Sequence, residues 1–213
     1  MRRDVFEFVE KEMEELCPAH DIHHIKRVYK LAEIIYESEQ KGDKIVILIS
    51  ALLHEVLDEK FFSEDIDKQA SKVLEMLKRT GISELKQQKI LFILENIGYR
   101  RSLGRKVKIE MPEYHIVEDA DRLDSMGAIG IARTFAYGGK KGIPIYDPEI
   151  AFDENITKEK YSKSSTSINH FYEKLLKLKK LMNTKKGKEI ARKKHKFLEK
   201  FLKEFHTEWE ADY

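Results

Sequence analysis

The chain has 213 residues, 41% of them hydrophobic and 37% charged, and 40 basic against 38 acidic side chains leave a formal charge of only +2. That length suits one core, the near-neutral balance supplies no electrostatic footprint for nucleic acid, and apolar runs such as 45–53 are far too short to span a bilayer. A single cysteine, Cys17, excludes an internal disulfide and reads as a small packed hydrophobe. No secretory signal opens the sequence, so a cytoplasmic location is expected.

Four prolines and ten glycines interrupt long stretches with apolar residues at three- and four-residue spacing, which predicts an all-α chain folded as one helical bundle over residues 1–213. The first helix, 5–16, places Val5, Phe8, Val9, Met13 and Leu16 on one face and stops before Pro18. The second, 21–40, repeats Ile25, Val28, Leu31, Ala32 and Ile35 and closes at Gly42. The third, 45–53, is apolar on nearly every side and is predicted to be the buried central helix. Helices follow at 64–79 and 83–96, with Gly81 between them, whereas 98–112 lacks periodicity and reads as a loop. Two short helices, 114–126 and 128–135, lead into 138–148, whose three glycines and two prolines predict a loop long enough to be functional. A polar run, 162–169, precedes amphipathic helices at 171–182 and 190–205. The lysine-rich stretch 174–203 reads as a solvated face, because Leu175, Leu178, Leu181, Leu198 and Leu202 supply a core stripe.

Chemistry concentrates at His24, the adjacent pair His54 and Glu55, and Asp121. Imidazole and carboxylate together bind divalent cations of intermediate hardness, and a bound cation can activate water for hydrolysis without a protein nucleophile. His54 and Glu55 stand at the end of a buried helix, where desolvation is costly without a partner. If that helix continues, His54 and Asp58 share a face and Glu55 is rotated by about 100°, leaving Asp58 to hold or activate a water. His24 lies beside Ile25 and Val28 at the edge of a buried face; Asp119, Asp121 and Asp124 lie among Val117, Ala120 and Leu123, and carboxylates so near a core need donors or a cation. Helix capping by Asp119 explains one of the three. A zinc-peptidase reading of His54-Glu55 fails, because position 58 is Asp where a second histidine is required.

His24-Ile-Lys-Arg-Val28, Ala51-Leu-Leu-His-Glu55 and Asp119-Ala-Asp-Arg-Leu-Asp124 together resemble the His…His-Asp…Asp signature of the HD-domain metal-dependent phosphohydrolases. Met126-Gly-Ala-Ile-Gly-Ile-Ala-Arg-Thr-Phe135, Tyr137-Gly-Gly139, Pro144-Ile-Tyr-Asp-Pro148 and Ser164-Ser-Thr-Ser-Ile-Asn-His-Phe-Tyr172 resemble the small stand-alone YedJ/YpgQ-like branch of that superfamily, so the likeness covers nearly the whole chain. The resemblance implies a metal-site core at about 20–125 with C-terminal helices at about 165–206 packed on it. It also implies His24, His54 and Asp121 as ligands, with Glu55 standing where the family has aspartate. The extra methylene moves the carboxylate by about 1.5 Å against a tolerance of about 0.2 Å in ligand distances. Glu55 coordinates after adjustment, Asp58 takes its place, or metal affinity falls.

The resemblance implies one divalent transition metal, with manganese, iron, cobalt, nickel or zinc suiting the mixed ligands and magnesium also admitted. Asp58 is expected to orient or deprotonate the attacking water, with Glu55 beside it, and His20, His23, Asp119 and Asp124 to support the ligands by hydrogen bonds. Arg27, Lys60, Arg122 and Arg133 are candidates to neutralise substrate oxygens, and Tyr137 and Tyr146 to stack on a base. Gly138-Gly-Lys-Lys-Gly142 is no P-loop, since the Gly-Lys-Ser/Thr ending is missing. The expected function is hydrolysis of a nucleotide or related phosphate ester, release of pyrophosphate from nucleoside triphosphates included. A catalytically quiet nucleotide and metal sensor, and nucleic-acid binding through the C-terminal lysines, are the other readings; the first predicts binding without turnover, the second steep salt dependence.

Overall fold

The computed structural model describes residues 2–13, 21–58, 66–158, 160–161 and 166–213, and no strand occurs among them. The helices are α1 (Arg2–Glu12), α2 (Ile22–Glu39), α3 (Lys44–Leu53), α4 (Ile66–Arg79), α5 (Glu84–Asn96), α6 (Tyr99–Ser102), α7 (Pro112–Asp124), α8 (Gly127–Lys141), α9 (Ser167–His170) and α10 (Lys185–Glu210). Cys17 and Pro18 lie outside the described residues, as do the candidates His20 and Lys60.

Helix α3 is the hub, packing against α1, α2, α5 and α7. It can do so because Val46, Ile47, Ile49, Ala51, Leu52 and Leu53 are all buried, leaving no polar stripe for solvent. Its start is fixed by Asp43, whose side chain accepts from the amides of Ile45 and Val46. The α2–α3 turn needs Gly42, which has a φ of +81° and would bring a Cβ within 2.9 Å of Glu113 Cγ. Helix α2 lies on both α3 and α7, so the three elements carrying the candidate ligands are mutual neighbours.

Helix α10 packs against α8, α7 and α2. Its beginning is bound by Asp119, whose carboxylate accepts from the amides of Asn183 and Thr184 at 2.9 and 2.8 Å and from the Thr184 hydroxyl at 2.7 Å. Thr184 in turn caps α10 by accepting from the Gly187 amide at 2.9 Å. An acidic side chain at a helix start matches the positive end of the dipole. Asp119 thus ties α7 to α10 instead of supporting the metal ligands as expected. Burial raises its carboxyl above the ordinary value despite those amides.

Four segments depart from the sequence expectation. Helix α8 runs on to Lys141, so 138–141 is helical, not loop; Gly138 is needed because a Cβ there would overlap the Ser167 hydroxyl. The stretch 98–112 contains the short α6. Residues 171–182 do not form one α-helix but a π-helical turn, Phe171–Leu175, followed by a 3₁₀ turn, Leu178–Leu181. The last helix starts at Lys185 and ends at Glu210, longer at both ends than expected.

Candidate metal centre

His24 sits in the first turn of α2, where Asp21 accepts from its backbone amide at 2.9 Å. Its ring Nδ1 donates to Asp124 Oδ2 at 2.7 Å. Helix α3 ends at Leu53, and His54 follows as its C-cap with Nδ1 donating to the Ala51 carbonyl at 2.9 Å. Both Nδ1 atoms being occupied by acceptors assigns the proton there and leaves both Nε2 lone pairs pointing inward. The two Nε2 atoms are 3.0 Å apart, and Glu55 Oε1 lies 3.1 Å from that of His24. Asp121 Oδ1 closes the group at 3.7 Å from His24 and 3.8 Å from His54.

One atom from each of the four residues lies within 4.8 Å of every other, and His24, His54 and Glu55 are buried. Electron-pair donors converging in this way repel one another unless a cation joins them. Donors about 2.1 Å from a common ion stand about 3.0–3.4 Å apart when adjacent and about 4.2 Å apart when opposite; the separations that involve a histidine run from 3.0 to 3.8 Å, and the whole group lies within 4.8 Å. The donor set therefore fits a divalent transition metal. The helix does not continue past Leu53: His54 to Leu57 form turns, with the Asp58 amide donating to the Glu55 carbonyl at 3.1 Å. For the same reason Asp58 does not share a helical face with His54, as the sequence had suggested.

Asp124 is the support behind His24. Arg27 Nε donates to it at 2.7 Å and Arg133 Nη1 at 2.9 Å. Burial pushes this carboxyl up, but the bonds from His24 and Arg27 and the charge of Arg133 outweigh it and hold the group well below the carboxylate range. Burial likewise pulls His24 down, and its bond to Asp124 and the negative charge of Glu55 beside it reverse that, leaving it above its ordinary value. A depressed carboxyl stabilises the fold above its unfolded pKa of about 3.9 and loses that contribution as pH falls through the lower folded value. Asp124→Asn in metal-free protein is therefore expected to cost on the order of 3 kcal/mol at pH 7. Urea unfolding should show the difference from wild type shrinking once the pH drops well below 4. A gap of constant size down to the most acid pH would refute the ion-pair explanation.

Glu55, Asp58 and Asp121 border a cleft of about 320 Å³, within the range of small-ligand sites. Arg133 and Tyr137, two of the candidates for substrate contact, also line it, with Arg133 bound to Asp124. The other candidates lie elsewhere. Arg27 is held by Asp124 and does not border the cleft. Arg122 donates to Glu118 at 2.8 Å and to the Leu181 carbonyl at 2.5 Å, which makes it a buried tie between α7 and the 3₁₀ turn. Tyr146 packs edge-on against Phe205, His206 and Trp209. His23 is exposed on α2.

Sequence reasoning missed Tyr99, Arg100, Arg101, Tyr161, His170 and Lys174, which all line the cleft. Of these, His170 belongs to the Ser164–Tyr172 motif, the one signal that marked this wall; within it Thr166 and Ser167 border the cleft, while Ser164 and Ser165 lie outside the described residues. Arg101 is bound to the carbonyls of Leu94 and Leu57 at 2.7 and 2.8 Å.

Comparison with known proteins agrees with this geometry. The HD domain model matches residues 21–126, the span from the cap of α2 to the end of α7. YpgQ of Bacillus subtilis is 33% identical over 186 residues, covering 87% of this chain and 82% of YpgQ. A crystal structure of YpgQ in complex with ADP superposes with a TM-score of 0.76 at 28% identity, over 98% of this chain and 97% of that one. An HD-superfamily hydrolase from Bacillus thuringiensis gives a TM-score of 0.76 at 38% identity, and a Lactobacillus plantarum protein gives 0.87 at 33%, each covering 99% of this chain and 97% of the other. No described helix is long and apolar enough to cross a membrane. A matching domain model, relatives aligned over most of their length and two histidines converging with two carboxylates lead to one assignment: the chain belongs to the HD-domain family of metal-dependent phosphohydrolases.

Proposed function

We propose that the chain hydrolyses a nucleoside di- or triphosphate, using one divalent cation held by His24, His54, Glu55 and Asp121. The observation that carries this reading is the meeting of that group with a cleft that also presents Arg133, Lys174 and three tyrosines. The ADP complex of YpgQ supports a nucleotide over a simpler ester. The ligand chemistry favours manganese, iron, cobalt, nickel or zinc, and admits magnesium.

When bound, the cation lowers the pKa of a water and polarises a phosphoryl oxygen. Asp58, at the cleft border but outside the ligand group, accepts the proton of the attacking water. Asp124 holds the His24 ring so that its Nε2 stays aimed inward. Arg133 counters charge on the substrate's phosphate oxygens, and Tyr137 offers a ring face to the base.

The test is release of phosphate and pyrophosphate from a panel of nucleotides by metal-stripped protein, with each cation added back in turn. Turnover is expected only with added metal, and the phosphorus product identifies the bond broken. Tight nucleotide binding with no turnover under any metal would reject hydrolysis in favour of a sensor.

A further inference from the structure

Lys174 belongs to the lysine-rich segment that reads as a solvated face, yet its side chain is partly buried and borders the cleft. The π-helical turn Phe171–Leu175 accounts for this, since one extra residue per turn shifts the register that an α-helix would have kept. The ammonium stands over the rings of Tyr99 and Tyr161, 5.4 and 5.8 Å from their centroids. Those two rings pack together at 5.3 Å, and the Tyr99 hydroxyl is anchored to the Glu173 carbonyl at 3.1 Å.

A cation against aromatic rings is held by their quadrupoles and keeps its N–H donors for other acceptors. No carboxylate among the described residues reaches ion-pairing distance of Lys174, although Glu55, Asp58 and Asp121 are near enough for their charges to act on it. Arg133 and Arg101, by contrast, already donate to Asp124 and to backbone carbonyls. An ammonium with unused donors therefore stands across a gap from the acidic group, and an anion in that gap would meet both. Resting on the proposed reaction, we infer that Lys174, held against Tyr99 and Tyr161, binds the phosphate chain of a nucleoside polyphosphate and selects for it.

The charge state of Lys174 bears on this role. Burial pulls its ammonium down to about 8; Asp121, Glu55 and Asp58 oppose the fall and Arg133 adds to it, with Tyr99 and Tyr161 as the titratable rings in contact.

The experiment is calorimetric titration of manganese-loaded protein with α,β-methylene-ADP, a diphosphate that cannot be split between its phosphorus atoms. K174M should raise the Kd about 10- to 100-fold, the scale of a lost hydrogen bond to a charged group. K174R should restore most of the affinity, because guanidinium supplies the same charge and N–H donors. Should K174M fail to fold, K174Q, which keeps a polar end but no charge, is expected to show the same loss, and unchanged affinity in that variant overturns the assignment. Equal affinity of K174M and wild type also overturns it while leaving the proposed reaction standing. Absence of binding by wild-type protein would reject the reaction and this assignment together.

Discussion

His54→Ala is expected to release the cation and abolish turnover together. His54 contributes an Nε2 3.0 Å from that of His24, and its ring is fixed from behind by the Ala51 carbonyl, so alanine removes a preset donor that no neighbour replaces. Loss of an outer hydrogen-bond partner alone costs about 10- to 100-fold in metal affinity, and loss of a ligand should exceed that. Asp121→Ala should behave alike, since Asp121 Oδ1 completes the group from α7. Metal content of the purified variants and manganese titration of activity provide the check, with thermal unfolding to confirm the fold. Full metal occupancy in either variant would mean that the ligands are other residues.

Asp58→Asn separates the proton acceptor from the ligands. Asp58 follows the turn that carries His54 and Glu55, borders the cleft, and stands outside the four-residue group. The amide cannot accept a proton from water, so kcat should fall by about 10²- to 10⁴-fold while metal content stays that of wild type. If the variant instead loses its metal, Asp58 coordinates and the proton acceptor must be sought elsewhere. Glu55 shows why both measurements are needed: its Oε1 lies 3.1 Å from His24 Nε2, in the turn that follows α3 and leads to Asp58.

Much of this arrangement is legible in the sequence because burial and polarity conflict there. Imidazoles beside Ile25 and after Leu53, and carboxylates beside Val117 and Leu123, call for a partner whatever the fold. The α2, α3, α5 and α7 spans follow their apolar periodicity to within a few residues, since α2 and α5 each bury one stripe and α3 and α7 most of their surface.

What proximity in sequence could not separate is which face of α7 each residue occupies. Asp121 and Asp124 are three apart and share the face toward His24, whereas Arg122 and Asp119, rotated by about 100° and 200° from Asp121, point to Glu118 and to the start of α10. That rotation is calculable, but the identity of the partners at 181–184 is not, because those contacts span some sixty residues. Lys174 was hidden for a different reason. A period of 3.6 assigns it to solvent, and nothing in Phe171–Leu175 announces the π-helical turn that brings it to the cleft. The extension of α8 through Gly138 and Gly139 was also obscured, since glycines that permit close packing on Ser167 look the same as glycines that break a helix.

The most direct test of the account is anomalous diffraction at the manganese edge from crystals of manganese-loaded protein. A single strong peak bounded by His24, His54, Glu55 and Asp121, with Asp58 facing it across the cleft, is the result the account predicts. A peak bound elsewhere, or a centre coordinated by Asp58 with Glu55 turned away, would contradict it.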